Sequence, residues 1–75
     1  MMKELDMVML TEDMPEHGLR RGDVGTVVLV HAGGAAYEVE FATFAGDTVA
    51  VASLPASRVR LVGEREIPHA RLLAS

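Results

Sequence analysis

Short runs of apolar and β-branched residues alternate with turn signals along most of this chain, a pattern typical of a small all-β domain. The clearest alternation is "AYEVEF", in which Tyr37, Val39 and Phe41 fall on one face and Glu38 and Glu40 fall on the other. A period of two is typical of a half-buried antiparallel strand. We therefore predict that the aromatic and valine side chains face the core and the glutamates face water.

Four further apolar runs predict strands at residues 5–11, 24–31, 48–54 and 57–62. Gly33 and Gly34 supply the turn between the second and third strands, because glycine tolerates a positive φ. Pro55 ends the fourth strand, since proline has no N–H for the ladder. In the fifth strand the alternation predicts that Val59 and Leu61 point inward.

A long loop at residues 12–23 leads into the second strand. Gly22 and Gly25 flank that strand's start, and at least one of them should hold a backbone conformation that is costly for other residues. Five short strands in a bent antiparallel sheet predict a small SH3-like barrel over residues 1–63, because closure protects the sheet edges. Residues 64–75 leave this pattern and predict a C-terminal tail or short helix.

The composition narrows the range of functions. The 75 residues suffice for one domain, and without cysteine there is neither a disulfide nor a thiolate–zinc site to stabilise it. Eleven acidic against seven basic residues give a formal net charge of −4, which disfavours a nucleic-acid surface. No secretory signal or membrane-spanning run is visible, so we expect a soluble, cytoplasmic protein with no membrane partner.

Three quoted stretches carry a family resemblance: "EDMPEHGLRRGDVGTVV", then "AYEVEF", then "LPASRVRLV". Over about residues 5–62 this pattern resembles a bacterial family, the domain of unknown function 4926. The resemblance implies an SH3-like barrel and a genetic setting beside small toxin-like partners. It implies no catalytic or binding residue, and the tail after Gly63 lies outside it.

Candidate chemistry is sparse. His17, His31 and His69 lack the tight spacing of metal ligands, so we expect no metal site. The carboxylates of the long loop lie in a polar, glycine-containing segment, where Asp13 and Asp23 are suited to accept backbone N–H groups in turns. No serine lies in a nucleophile elbow, and "AGGAA" lacks the lysine of a phosphate loop. We therefore expect no enzyme, no catalytic residue and no cofactor.

Apolar residues on both faces of the first, second and fourth strands are the stronger functional signal, because such strands are usually covered on both faces. The second cover can be the tail, another copy of the chain or a small protein partner. The candidate interface residues are Met7, Met9, Leu29, Ala50, Ala52, Leu54, Leu72 and Leu73. This pattern predicts a non-enzymatic protein-interaction module that self-associates or docks on a partner, with an antitoxin- or inhibitor-like role if the partner is basic.

A nucleic-acid-binding barrel remains the alternative. Its candidate contacts are Arg20, Arg21, Arg58, Arg60 and Tyr37. The acidic residues around Arg20 and Arg21 make the local charge negative, which argues against this alternative.

Overall fold

A computed structural model of the chain describes residues 2–73. Five strands form one antiparallel sheet in the order β4-β3-β2-β1-β5. The strands are β1 (Met7–Leu10), β2 (Val24–His31), β3 (Ala36–Ala42), β4 (Thr48–Pro55) and β5 (Val59–Leu61). The all-β prediction is confirmed. Within residues 2–73, β4 and β5 are the two edges of the sheet and do not pair with each other, so the sheet is not closed into a barrel.

The first and fifth strands are shorter than the sequence predicts. Leu5 has a positive φ of 72° and lies in the turn before β1, so the strand begins only at Met7. Residues Ala56–Arg58 form a 3-10 turn, which delays the start of β5 to Val59. A second 3-10 turn, Pro15–His17, lies in the loop between β1 and β2.

The core lies on one face of the sheet and includes the predicted row of β3. Tyr37, Val39 and Phe41 are buried, while Glu38 and Glu40 on the opposite face are half-buried. Leu61 is exposed, so its predicted inward position is wrong, because it ends a three-residue edge strand beyond the core. The buried hydrophobic residues are Val8, Leu10, Met14, Leu19, Val27, Tyr37, Val39, Phe41, Ala52, Leu54 and Val59.

A β-bulge in β2 explains why its sequence is apolar at consecutive positions. Val27 pairs with Val39 and is fully buried, but the pairing shifts before Leu29. The extra residue, Val28, leaves both itself and Leu29 on the exposed side. Beyond the bulge, Val30 pairs with Tyr37 and packs against the core. Bulges add twist and bend a strand, and this one lies in the middle of the sheet.

None of the helical segments within residues 2–73 is long and apolar enough to cross a membrane.

Candidate functional site

The loop between β1 and β2 is ordered by its own aspartates. Asp13 accepts a hydrogen bond from the Arg21 backbone N–H at 2.8 Å, and Asp23 accepts one from the Arg20 backbone N–H at 2.8 Å. The expectation that both aspartates bond backbone N–H groups in turns is confirmed. These carboxylates therefore hold the loop, since an Asp side chain stabilises a turn by accepting such bonds.

Other positions of the quoted loop stretch also have structural roles. Gly18 ends the 3-10 turn in a left-handed conformation, with φ of 69°. Leu19 is buried and forms an isolated bridge with Met14. Glu12 lies 3.3 Å from the Arg58 guanidinium. Loop geometry, core packing and an ion pair thus account for these positions of the stretch.

The structure does not assemble the residues of the nucleic-acid alternative into a binding face. Tyr37 is only 2% exposed, so its ring cannot stack on a base. Arg60 makes two hydrogen bonds of 2.8 Å to Glu66, and Arg58 faces Glu12. Arg20 and Arg21 are exposed, beside the acidic residues of their own loop.

The histidines lie apart from one another. His31 Nε2 is 2.7 Å from Glu38 on the solvent side of the sheet, His17 lies in the 3-10 turn, and His69 lies in the tail. Within residues 2–73, no group of three or more His, Cys, Asp or Glu side chains could hold a metal ion.

The end of the tail is attached to the body through the side chain of Arg71. Arg71 Nε donates to Asp23 Oδ1 at 2.8 Å, and Arg71 Nη2 donates to Asp23 Oδ2 at 2.6 Å. Arg71 Nη2 also donates to the Gly18 carbonyl at 3.1 Å. A bidentate guanidinium–carboxylate pair fixes both distance and orientation, so this contact positions the end of the tail.

The pKa shifts of Asp23 and Arg71 show that each residue stabilises the charged form of the other. Partial burial raises the pKa of Asp23, but the hydrogen bonds from Arg71 and from the Arg20 backbone outweigh it, so the net pKa is lowered. The hydrogen bond to Asp23 likewise raises the pKa of Arg71. Nearer the sheet, the hydrogen bonds from Arg60 and from the Gly63 N–H lower the pKa of Glu66 to about 2. The carboxylates of both contacts are therefore ionised at neutral pH.

A shallow groove of about 190 Å³ runs between the β1–β2 loop, the β3–β4 turn and the tail. We call it the tail groove. Its body side includes Leu19, Asp23, Val24, Phe41, Phe44 and Val49, and its tail side includes His69, Ala70, Arg71 and Leu73. Phe44, in the β3–β4 turn, is 89% exposed, which is unusual for an aromatic side chain.

The predicted interface residues do not form one surface. Ala52 and Leu54 are buried in the core, because they pair with Val39 and Tyr37 and share their inward face. Their assignment to an exposed interface is corrected accordingly. Met9 and Ala50 are half-buried, whereas Met7 and Leu29 are exposed on the sheet and Leu72 and Leu73 are exposed on the tail.

The outer edge of β4 is a more coherent surface. The strand reads TVAVASLP, eight residues with no charge, and β3 is its only partner in the described sheet. Val51, at its middle, is 52% exposed. Edge strands in natural proteins usually carry charges, prolines or bulges that prevent pairing with another chain. Here Pro55 is at the last position and the bulge lies near the first residues, so the middle of the edge is unprotected.

Sequence reasoning missed the two features that organise the site. The contact between Asp23 and Arg71 spans 48 residues, and no local pattern indicates it. The sequence shows that β4 has no charged residue, but it does not show that β4 is an edge strand. Strand order was the missing information.

Among known proteins, the sequence matches the family described as "Domain of unknown function (DUF4926)" over residues 4–61. No curated protein and no solved structure matches the chain. The matched range contains all five strands and the loop held by Asp13 and Asp23, and it stops before the tail. The chain therefore belongs to the DUF4926 family.

Proposed function

We propose that this protein is a non-enzymatic interaction module that self-associates through the free edge of β4. The observation that carries the proposal is that β4, an eight-residue strand without charged residues, has β3 as its only partner in the described sheet. Such an edge is a template for a further strand, because main-chain groups supply the affinity.

The direction of the backbone groups supports pairing at the middle of β4. The Ala56 N–H donates to the Ala35 carbonyl, on the β3 side. Because successive residues of a strand direct their N–H and C=O groups to opposite sides, Leu54 and Ala52 also bond toward β3. Val51 and Ser53 therefore direct their N–H and C=O groups outward, where another strand can pair with them.

A second copy of the chain fits this edge. Antiparallel pairing of β4 with itself about Val51 is two-fold symmetric, so the Val51 N–H of each copy can donate to the Val51 carbonyl of the other, and Ser53 of one copy lies opposite Val49 of the other. The formal net charge of −4 opposes self-association over most of the surface, but β4 contributes no charge to the contact. Glu40, which pairs with Val51 in the β3–β4 ladder, accepts a hydrogen bond of 2.5 Å from the Thr48 hydroxyl.

We also propose that the fold is an SH3-like barrel that is left open between β4 and β5. Three features support it. β2 pairs with both β1 and β3 and carries a bulge at its middle. β5 returns to pair with β1 after the 3-10 turn Ala56–Arg58. The buried core lies on one face of the sheet.

The test is a charge at the centre of the edge. We expect the wild-type chain to be a dimer by light scattering at micromolar concentration and Val51→Lys to be a monomer, since like charges placed opposite each other on paired strands repel. Ser53→Pro should also give a monomer, because it removes an outward N–H, whereas Ser53→Ala should remain dimeric.

Leu29→Lys is the matched control. Leu29 is exposed to a similar degree but lies in β2, which has partners on both sides. It should leave the dimer intact. A wild-type monomer, or a dimer dissociated by Leu29→Lys and not by Val51→Lys, contradicts pairing through the β4 edge.

The same edge can accept a strand from a different protein. The acidic surface favours a basic partner, and an inhibitor- or antitoxin-like role follows if that partner is a toxin. In that case, Val51→Lys should abolish co-purification of the partner and Leu29→Lys should not.

A further inference from the structure

The tail groove contains a socket for one arginine side chain, formed by the Asp23 carboxylate and the Gly18 carbonyl. Arg71 occupies it through three hydrogen bonds, two to Asp23 and one to Gly18. The side chains of Arg71 and Asp23 are both mostly buried, at 24% and 17% exposed. Arginine suits such a site better than lysine, because its planar fork matches a carboxylate bidentately.

The socket is built by the body of the protein and does not depend on the tail for its shape. The Arg20 N–H holds Asp23 Oδ2, and the Asp23 backbone bonds to Arg20 and Leu10. The Gly18 N–H bonds to the Pro15 carbonyl within the 3-10 turn. The groups that receive the guanidinium are therefore positioned before it arrives, which lowers the entropic cost of binding.

Beyond Glu66, the tail is weakly attached. Among the described residues, the three hydrogen bonds of Arg71 are the only ones that residues 67–73 make. Ile67 is almost fully exposed and Leu72 is 94% exposed, while Leu73 lines the groove. A segment held by one side chain can be displaced by a competitor that offers the same chemistry.

We propose that the tail groove is a docking site for an extended segment of a protein partner that presents an arginine followed two residues later by an apolar side chain, and that the tail is its built-in competitor. The β1–β2 loop, residues 12–23, carries four carboxylates and two arginines, a formal net charge of −2 that suits a basic segment. Phe44, exposed at the rim, supplies an aromatic contact that the tail leaves unused. The groove reaches β4 at Val49 but includes neither Val51 nor Ser53, so the inference does not rest on the proposed function.

The experiment uses the full-length chain and a fluorescent peptide with the sequence of residues 66–73, EIPHARLL. In the wild type, the tethered tail competes at an effective concentration on the order of millimolar, so the free peptide should bind poorly. Arg71→Ala empties the socket, and the peptide should then bind about tenfold more tightly or better, as measured by fluorescence anisotropy.

Two controls identify the socket. A peptide with alanine in place of its arginine should not bind Arg71→Ala. Adding Asp23→Asn to Arg71→Ala should abolish binding of the arginine peptide. The loop should stay folded in this double variant, because asparagine keeps an oxygen that can accept the Arg20 N–H. Circular dichroism checks the fold of each variant.

Equal binding by the wild type and Arg71→Ala, or equal binding of both peptides, overturns the proposal. A wild-type dimer that Arg71→Ala converts to monomer also overturns it, because the occupant would then be the tail of a second copy. That outcome differs from failure of the β4 edge, which depends on Val51→Lys.

Discussion

At the scale of single residues, Gly22 and Gly25 are required for different physical reasons. Gly22 has a φ of 93° and open space where a Cβ would lie. Gly25 has an ordinary φ, but a Cβ there would lie 2.6 Å from Val39 Cγ1 and 2.7 Å from the Glu40 carbonyl oxygen. The prediction that at least one of the two holds a costly backbone conformation is confirmed by Gly22.

The two glycines should therefore respond differently to substitution. Gly22→Ala should lower the free energy of unfolding by about 1–2 kcal/mol, and Gly22→Asn should recover part of this, because asparagine tolerates a positive φ. Gly25→Ala should cost about 1–3 kcal/mol or more, since backbone as well as side-chain atoms must move, and Gly25→Asn should be worse. Urea unfolding of the four variants measures this. Equal recovery by asparagine at both positions would contradict the distinction.

At the scale of elements, β3 is the strand on which the core depends, because β2 and β4 pair on its two sides and its inward row is buried. Phe41→Ala should lower the free energy of unfolding by about 3–5 kcal/mol, the usual range for a buried aromatic side chain. Phe44→Ala is the matched control: this ring is exposed, so the change should stay within about 0.5 kcal/mol. Chemical denaturation of both variants checks the difference, and similar losses would mean that the core row is misplaced.

The elements also show where sequence reasoning stops. β3 could be predicted with its faces, because polar and apolar residues alternate without interruption. In β2 the faces could not be assigned, since the bulge before Leu29 shifts the alternation and a run of valines hides the shift. In β4, Val51 and Ala52 are both apolar, so only the pairing of Ala52 with Val39 identifies the inward row. Periodicity determines a face only where the two faces differ in polarity.

At the scale of the whole molecule, the tail joins parts of the chain that are distant in sequence. Arg60 and Glu66 fix its beginning beside β5, and Arg71 fixes its end on the β1–β2 loop. Both contacts are ion pairs, and the residues that surround each member in the sequence do not indicate which residue it pairs with. This explains why the strands were predictable from local patterns, whereas the groove that the tail completes was not.

The contact between Arg71 and Asp23 should make attachment of the tail depend on pH. The pKa of Asp23 is lowered in the folded protein from its ordinary 3.8, so the contact contributes fully above that value and is lost as the pH falls through the lowered pKa. We expect the Arg71 Nε–H resonance, followed by NMR, to move toward its position in a flexible chain only below pH 3.8. In the Asp23→Asn variant, the Arg71 Nε–H resonance should already have its flexible-chain position at neutral pH and should not shift as the pH is lowered. A transition near neutral pH, or the same titration in Asp23→Asn, would show that another group holds the tail.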